Sequence, residues 1–142
     1  MATLNPYLSF QGEARQALEF YQSALGGTVT AMTFGDNPAG QSMGVPPEAA
    51  DLVMHGQLDL EDGLVIMAAD TPPGMEYVAP TSGITVAMTG GADEYDRLSS
   101  AFARLSEGGK PGMPLEKAPW GDYFGQFTDR FGIAWMFNIA GS

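Results

Sequence analysis

The chain has no cysteine. That absence excludes disulfides, thiolate-bound zinc and cysteine nucleophiles together. Histidine is almost missing as well: His55 is the only imidazole in 142 residues, so no site can be built on two histidine ligands. Basic side chains are scarce, 6 against 17 acidic ones, for a net charge of −11. A surface so acidic repels phosphate backbones and anionic headgroups, so neither nucleic acid nor a membrane is an expected partner. Cationic ligands are attracted, although acidity of this kind usually serves solubility. No apolar run reaches spanning length and no charged-then-apolar leader opens the chain, which gives the expectation of a soluble cytoplasmic protein. No G-x-G-x-x-G occurs, and with it goes the glycine turn that a nucleoside cofactor needs between a strand and a helix.

What the chain does have is aromatic residues gathered near its end. Both tryptophans, Trp120 and Trp135, fall within residues 119–139 together with Tyr123, Phe124, Phe127, Phe131 and Phe137. Two apolar runs, residues 123–128 and 134–139, flank Asp129-Arg130-Phe131-Gly132, a polar turn ending in glycine, which reads as an antiparallel hairpin anchoring a core. The length suits one domain, residues 1–142, and is too short for two independent cores.

Upstream the order is regular. Residues 5–10 form a short apolar strand closed by Gln11-Gly12. From Glu13, the series Ala14, Ala17, Leu18, Tyr21, Ala24 and Leu25 gives the stripe of an amphipathic helix, with Glu13 near its positive end and Gly26-Gly27 stopping it. Residues 28–34 read as a strand. Residues 35–51, with Pro38, Pro46, Pro47, Gly35, Gly40 and Gly44, form a long loop that suits a lid or a dimer contact, and equally a surface excursion. Residues 52–60 alternate as a half-buried strand, placing Leu52, Met54, Gly56, Leu58 and Leu60 on one face and Val53, His55, Gln57 and Asp59 on the other. Residues 64–69 return after Glu61-Asp62-Gly63.

The second half repeats that order. Residues 83–89 are a strand, residues 93–105 a helix carrying Tyr95, Leu98, Phe102 and Leu105 on one side, and Gly108-Gly109 ends it as Gly26-Gly27 ended the first. Residues 110–117 are extended, and their two prolines make them an edge strand. The expected fold class is therefore α+β: two βαβββ modules, about 4–70 and about 83–140, pairing their sheets around a central cleft, since neither sheet alone buries both faces.

Paired βαβββ modules of this length resemble the vicinal oxygen chelate superfamily, which includes glyoxalase I, extradiol dioxygenases and bleomycin-binding proteins. Within it, the chain is similar to the PhnB-like group through Pro6-Tyr7-Leu8-Ser9-Phe10, the Phe20-Tyr21 pair within Ala17 to Leu25, His55, and the series Trp120-Gly121, Gly125, Asp129, Phe131-Gly132, Trp135 and Asn138. Members of that group often carry a methyltransferase name, which a chain without the nucleoside-binding turn does not support.

Enzymes of the superfamily hold a divalent metal through His, Gln or Glu on their sheets. The resemblance puts the corresponding positions here at Pro6, Met67, Gly83 and Met136, none of which ligates a hard cation. Their polar neighbours are Asn5, Asp70, Thr85 and Asn138. No metal and no cofactor are therefore expected. The same correspondence turns Leu8, Val65 and Ala69 inward with Pro6 and Met67, lining the cleft with apolar groups.

Six residues are candidates for ligand binding: His55, Gln57, Met67, Trp120, Met136 and Asn138. His55 stands beside Gln57 on the more polar strand face, either as a proton carrier or hydrogen-bond partner for a ligand or as a histidine satisfied by its neighbours. It is the one weak catalytic candidate. Trp120, on a loop between Pro119 and Gly121, covers a pocket mouth and stacks on a planar ligand, or it packs in the core. Trp135, one residue from Met136, belongs to the helix side. Asn138 shares the cleft side with Met136 and offers a donor and an acceptor, or serves as a strand-end partner. The chain has nine methionines, flexible groups that fill gaps and also adapt to varied ligands.

The expectation is a metal-free small-molecule-binding protein, homodimeric by analogy with the family. The alternatives are a glyoxalase- or dioxygenase-like metal-dependent enzyme, or a metal-free isomerase with His55 as general base.

Overall fold

Asp129 shows how the terminal hairpin is built. In the structure, a computed structural model that describes residues 2–36, 46–77, 79 and 83–141, this aspartate is only 3% exposed. Its Oδ1 accepts the Phe131 and Ile133 N–H groups at 2.8 and 3.0 Å and its Oδ2 accepts the Trp135 indole Nε1–H at 2.9 Å. One side chain thus closes the turn and fixes the tryptophan. Gly132 completes the turn at φ 88, left-handed backbone that favours glycine. The strands run Tyr123–Thr128 (β7) and Ala134–Ile139 (β8), as the pattern predicts.

The chain divides into two units, residues 1–80 and 81–142, and each is a βαβββ module. The first contains β1 (Tyr7–Phe10), α1 (Ala14–Leu25), β2 (Thr28–Thr33), β3 (Val53–Asp59) and β4 (Val65–Asp70), with sheet order β1-β4-β3-β2. The second contains β5 (Val86–Gly90), α2 (Tyr95–Ser106) and β6 (Lys110–Lys117) before β7 and β8, with order β5-β8-β7-β6. In each module the first strand pairs with the last in parallel, and the remaining pairs are antiparallel. This parallel pair is what the intervening helix makes possible, since a hairpin turn cannot join parallel neighbours.

Each helix buries its apolar stripe on one face of its own sheet. Ala14, Ala17, Leu18 and Tyr21 of α1 are fully buried, as are Leu58 and Ala68 of the sheet. Gly56 lets the helix approach: a Cβ there would lie 2.6 Å from Leu18 Cδ1. Gly125 plays the same part under α2, where a Cβ would lie 2.8 Å from the Phe102 ring. Phe102 stands edge-on to Phe127 and Phe137, with centroids 4.9 and 5.4 Å away, a geometry that aromatic quadrupoles favour. Trp135 is 1% exposed in this cluster.

Two details differ from the pattern, and one, the capping of α1, lies beyond it. Val53 was expected on the face of His55, yet it is 1% exposed. Met32 pairs with His55 and Thr33 with Val53, so Met54 is the extra residue of a β-bulge that turns Val53 to the helix side. Glu13 makes no capping bond. The Ala14 N–H at the start of α1 is instead taken by Asp70 Oδ1 at 3.0 Å, with Gly12 N–H on the same oxygen at 2.8 Å and Val53 N–H on Oδ2 at 3.0 Å. Thirdly, β5 starts at Val86 rather than Gly83. The proline-bearing β6 is an edge strand, as expected, with register shifts at Pro111/Met113 and Met113/Glu116. Of the long loop, residues 37–45 lie outside the described residues, and with them the proposed lid; residues 47–49 form one 3-10 turn.

Asp70 and Asp129 each satisfy three buried or part-buried N–H donors, and losing such an acceptor strands those donors at about 1–3 kcal/mol apiece. Asp129→Ala should therefore lower unfolding free energy by about 3 kcal/mol or more. Urea titration of both proteins checks this, and a loss below about 1 kcal/mol would remove Asp129 from its structural role.

Candidate functional site

With one face of each sheet under a helix, the other face carries whatever chemistry the strands hold. In the first module the register sets Tyr7 beside Met67 and Met67 beside Gln57, while Met32 lies beside His55. Directly paired residues share a sheet face. Buried Leu58, Ile66 and Ala68 alternate with them on the helix side, so His55, Gln57, Met67, Tyr7 and Met32 occupy the helix-free face. His55 is half-buried, and its ring lies 6.0 Å from that of Tyr7, tilted by 46°. Gln57 Nε2 donates to Asp59 Oδ1 at 2.7 Å.

This geometry overturns one expectation on β1. Leu8 pairs with Ala68, which is completely buried under α1, so Leu8 and, by alternation, Pro6 belong to the helix side. Tyr7 and Ser9 take the other face. Pro6 contributes only its carbonyl, which accepts the Met67 N–H at 3.0 Å. Counting back from the helix landmarks across the Gln11-Gly12 turn slips by one residue, and in a strand one residue exchanges the faces. Val65, Met67 and Ala69 do lie opposite the helix, as their parity implies.

In the second module, Met136 pairs with Gln126 and Ala87, and Asn138 with Phe124 and Thr89. Buried Trp135, Phe137 and Ile139 alternate with them toward α2. Met136 and Asn138 are therefore on the helix-free face. Trp120, on the loop before β7, is 63% exposed and stands edge-on to Phe124 at 5.8 Å, so it lies outside the core. Asn138 Nδ2 donates to Asp122 Oδ2 at 3.1 Å, and Asp122 Oδ1 accepts the Gly141 N–H at 3.3 Å. The asparagine thus has a structural partner while its side chain stays on the open face.

The sequence reading missed Tyr7, Phe124 and Gln126. Pairing outward from the Asp129–Gly132 turn would have put Gln126 beside Met136 and Phe124 beside Asn138.

These two modules, each a four-stranded sheet with a parallel outer pair and a helix on one face, have a counterpart among known families. A family model for the Glyoxalase/Bleomycin resistance protein/Dioxygenase superfamily matches residues 3–137. The chain belongs to this superfamily. Protein YjdN of Escherichia coli (strain K12) is 28% identical over 146 residues, spanning 96% of this chain and 94% of YjdN. The crystal structure of protein PA1353 from Pseudomonas aeruginosa aligns at 37% identity with TM-score 0.80, over 99% of this chain and 98% of that one. A Bacillus cereus PhnB protein, described as a putative 3-demethylubiquinone-9 3-methyltransferase, aligns over 98% of this chain and all 100% of its own with TM-score 0.71. Its identity of 21% makes this a likeness of fold.

The superfamily's divalent metal needs several oxygen or imidazole donors brought together. Among the described residues no three His, Asp or Glu side chains gather in that way. Asp70, a neighbour of one former ligand position, is 5% exposed, turned to the helix side and engaged by three N–H groups. The donors among the described residues do not fit the ion.

The two tryptophans should report these environments separately. Acrylamide should quench one accessible and one protected population, and Trp120→Phe should leave only the protected emission of Trp135. Strong quenching in that variant, as of a solvent-exposed tryptophan, would contradict the burial of Trp135.

Proposed function

We propose that this member of the superfamily is a metal-free small-molecule-binding protein that receives a ligand with an apolar or planar body on the helix-free faces of its sheets. The observation that carries the proposal is the composition of those faces. Tyr7 and Met67 lie in one cross-strand row with Gln57 in the first module, and Met136, Phe124 and the exposed Trp120 accompany Asn138 in the second; the two amides also bond Asp59 and Asp122. Thioethers and aromatic rings supply adaptable apolar area, and single polar groups orient what lies on them. His55 offers a ligand one hydrogen-bonding imidazole.

The enzymatic alternatives have less support. A metal-dependent lyase or dioxygenase requires donors that the described residues do not gather. An isomerase would use His55 as general base, and among the described residues its aromatic neighbour is Tyr7 and no carboxylate hydrogen-bonds the imidazole to orient it. We also propose a cytoplasmic homodimer, on the strength of the family and of a described chain in which no helix is long and apolar enough to cross a membrane.

Metal analysis of protein purified without chelator tests the central point. The expected content of Zn, Ni, Fe and Mn is far below one equivalent, and a stoichiometric amount of any of them would overturn the proposal. Planar aromatic fragments should in turn alter Trp120 emission in the wild type, and Met136→Glu, which sets a charge on the apolar face, should abolish that response.

A further inference from the structure

The helix-free face of the second module is polarised along its strands. Three cross-strand rows follow from the register. Lys110, Thr128 and Ala134 form the first; Met113, Gln126, Met136 and Ala87 the second; Glu116, Phe124, Asn138 and Thr89 the third. Successive rows are two residues apart along β7 and β8, so the first and third are separated by about 13 Å. That is the length of a mid-sized organic molecule.

At the first row the face sinks into a concavity of about 200 Å3 whose polar lining is Thr85, Lys110, Gln126 and Thr128. No carboxylate lines it. Lys110 forms no ion pair among the described residues, where the salt bridge shown is Arg97 with Glu94. The lining residues carry an ammonium group, two hydroxyls and an amide, donors placed around one small volume. Such a set suits an anionic oxygen group, and charge-assisted bonds are the stronger kind.

We infer that this concavity takes the carboxylate or phosphoryl end of an organic anion whose apolar or planar body runs over Met136 toward Phe124 and Trp120. The inference rests on the proposed function and specifies its ligand class. It also reverses what bulk charge suggests: the acidic surface attracts cations, while this acid-free hollow selects an anion. Lys110 sets the polarity of the ligand, and Thr128, its partner across the β6–β7 pair, helps to orient the oxygens.

Calorimetric titration of the full chain with phenylacetate, phenyl phosphate and the neutral isostere phenylacetamide tests this, using wild type, Lys110→Met and Lys110→Arg. At least one anion should bind the wild type about tenfold or more tightly than the amide, a difference of about 1.4 kcal/mol. Lys110→Met should erase that preference and Lys110→Arg retain it, with added salt weakening anion binding alone. The tighter of the two anions distinguishes carboxylate from phosphoryl recognition. Equal binding of anion and amide, or a preference that survives in Lys110→Met, would overturn the inference while leaving the proposed binding function standing. Failure of all three probes to bind would overturn it too, and metal content judges the proposed function separately. Lys110 is exposed at a sheet edge, so the variants should keep the wild-type melting temperature. Thr128→Val, which removes a donor from the hollow, should weaken the anions and spare the amide.

Discussion

Two buried aspartates hold the modules in their working form. Asp70 ties three N–H groups from separate places, Gly12 and Ala14 at the entry to α1 and Val53 at the start of β3. Asp129 does the same for the final hairpin through Phe131, Ile133 and the Trp135 indole. A charged acceptor taken from water must recover its solvation from such donors, and each of these carboxylates recovers it from backbone or indole N–H. The consequence reaches the open faces. Asp70 secures the bulge at Met54 that leaves His55 opposite the helix, and Asp129 fixes the register that puts Met136 and Asn138 there.

Those constraints divide each module into two sides with different tasks. The helix side is filled by close packing, with Gly56 and Gly125 allowing Leu18 and Phe102 to approach the strands. The other side carries Tyr7, His55, Gln57 and Met67 in one module and Phe124, Gln126, Met136 and Asn138 in the other. The superfamily scaffold is retained, while acidic donors are spent on the architecture. Asp70 and Asp129, the two carboxylates buried among the described residues, face the helices, and Asp122 is engaged by Asn138 and Gly141.

Much of this was legible in the residues. Periodicity found both helices and the strands, and the Asp129–Gly132 turn fixed β7 and β8, because hydrophobic alternation and turn chemistry are local signals. The prolines of β6 correctly announced an edge. Long-range contacts were not legible. Nothing near Glu13 reveals that the helix entry is capped by Asp70, far along the chain, and nothing in residues 52–60 shows that a bulge at Met54 turns Val53 inward. The error at Pro6 and Leu8 has the same origin, since alternation gives two faces without saying which one the helix covers. Met67, Met136 and Asn138 were assigned to the open side correctly because their strands carry an unbroken apolar series to define the opposite side. Lys110 drew no attention, since an exposed lysine gains meaning only from the acid-free hollow around it.

The account's central claim is that ligand chemistry belongs to the helix-free faces and the buried carboxylates belong to the fold. Amide chemical-shift mapping of 15N-labelled protein during a titration with phenylacetate measures this most directly. The account predicts shifts concentrated at Thr128, Met136 and Asn138, with Gly12, Val53 and Ile133, the N–H partners of Asp70 and Asp129, unmoved. Shifts centred on those three amides or on the exposed sides of α1 and α2 would contradict it.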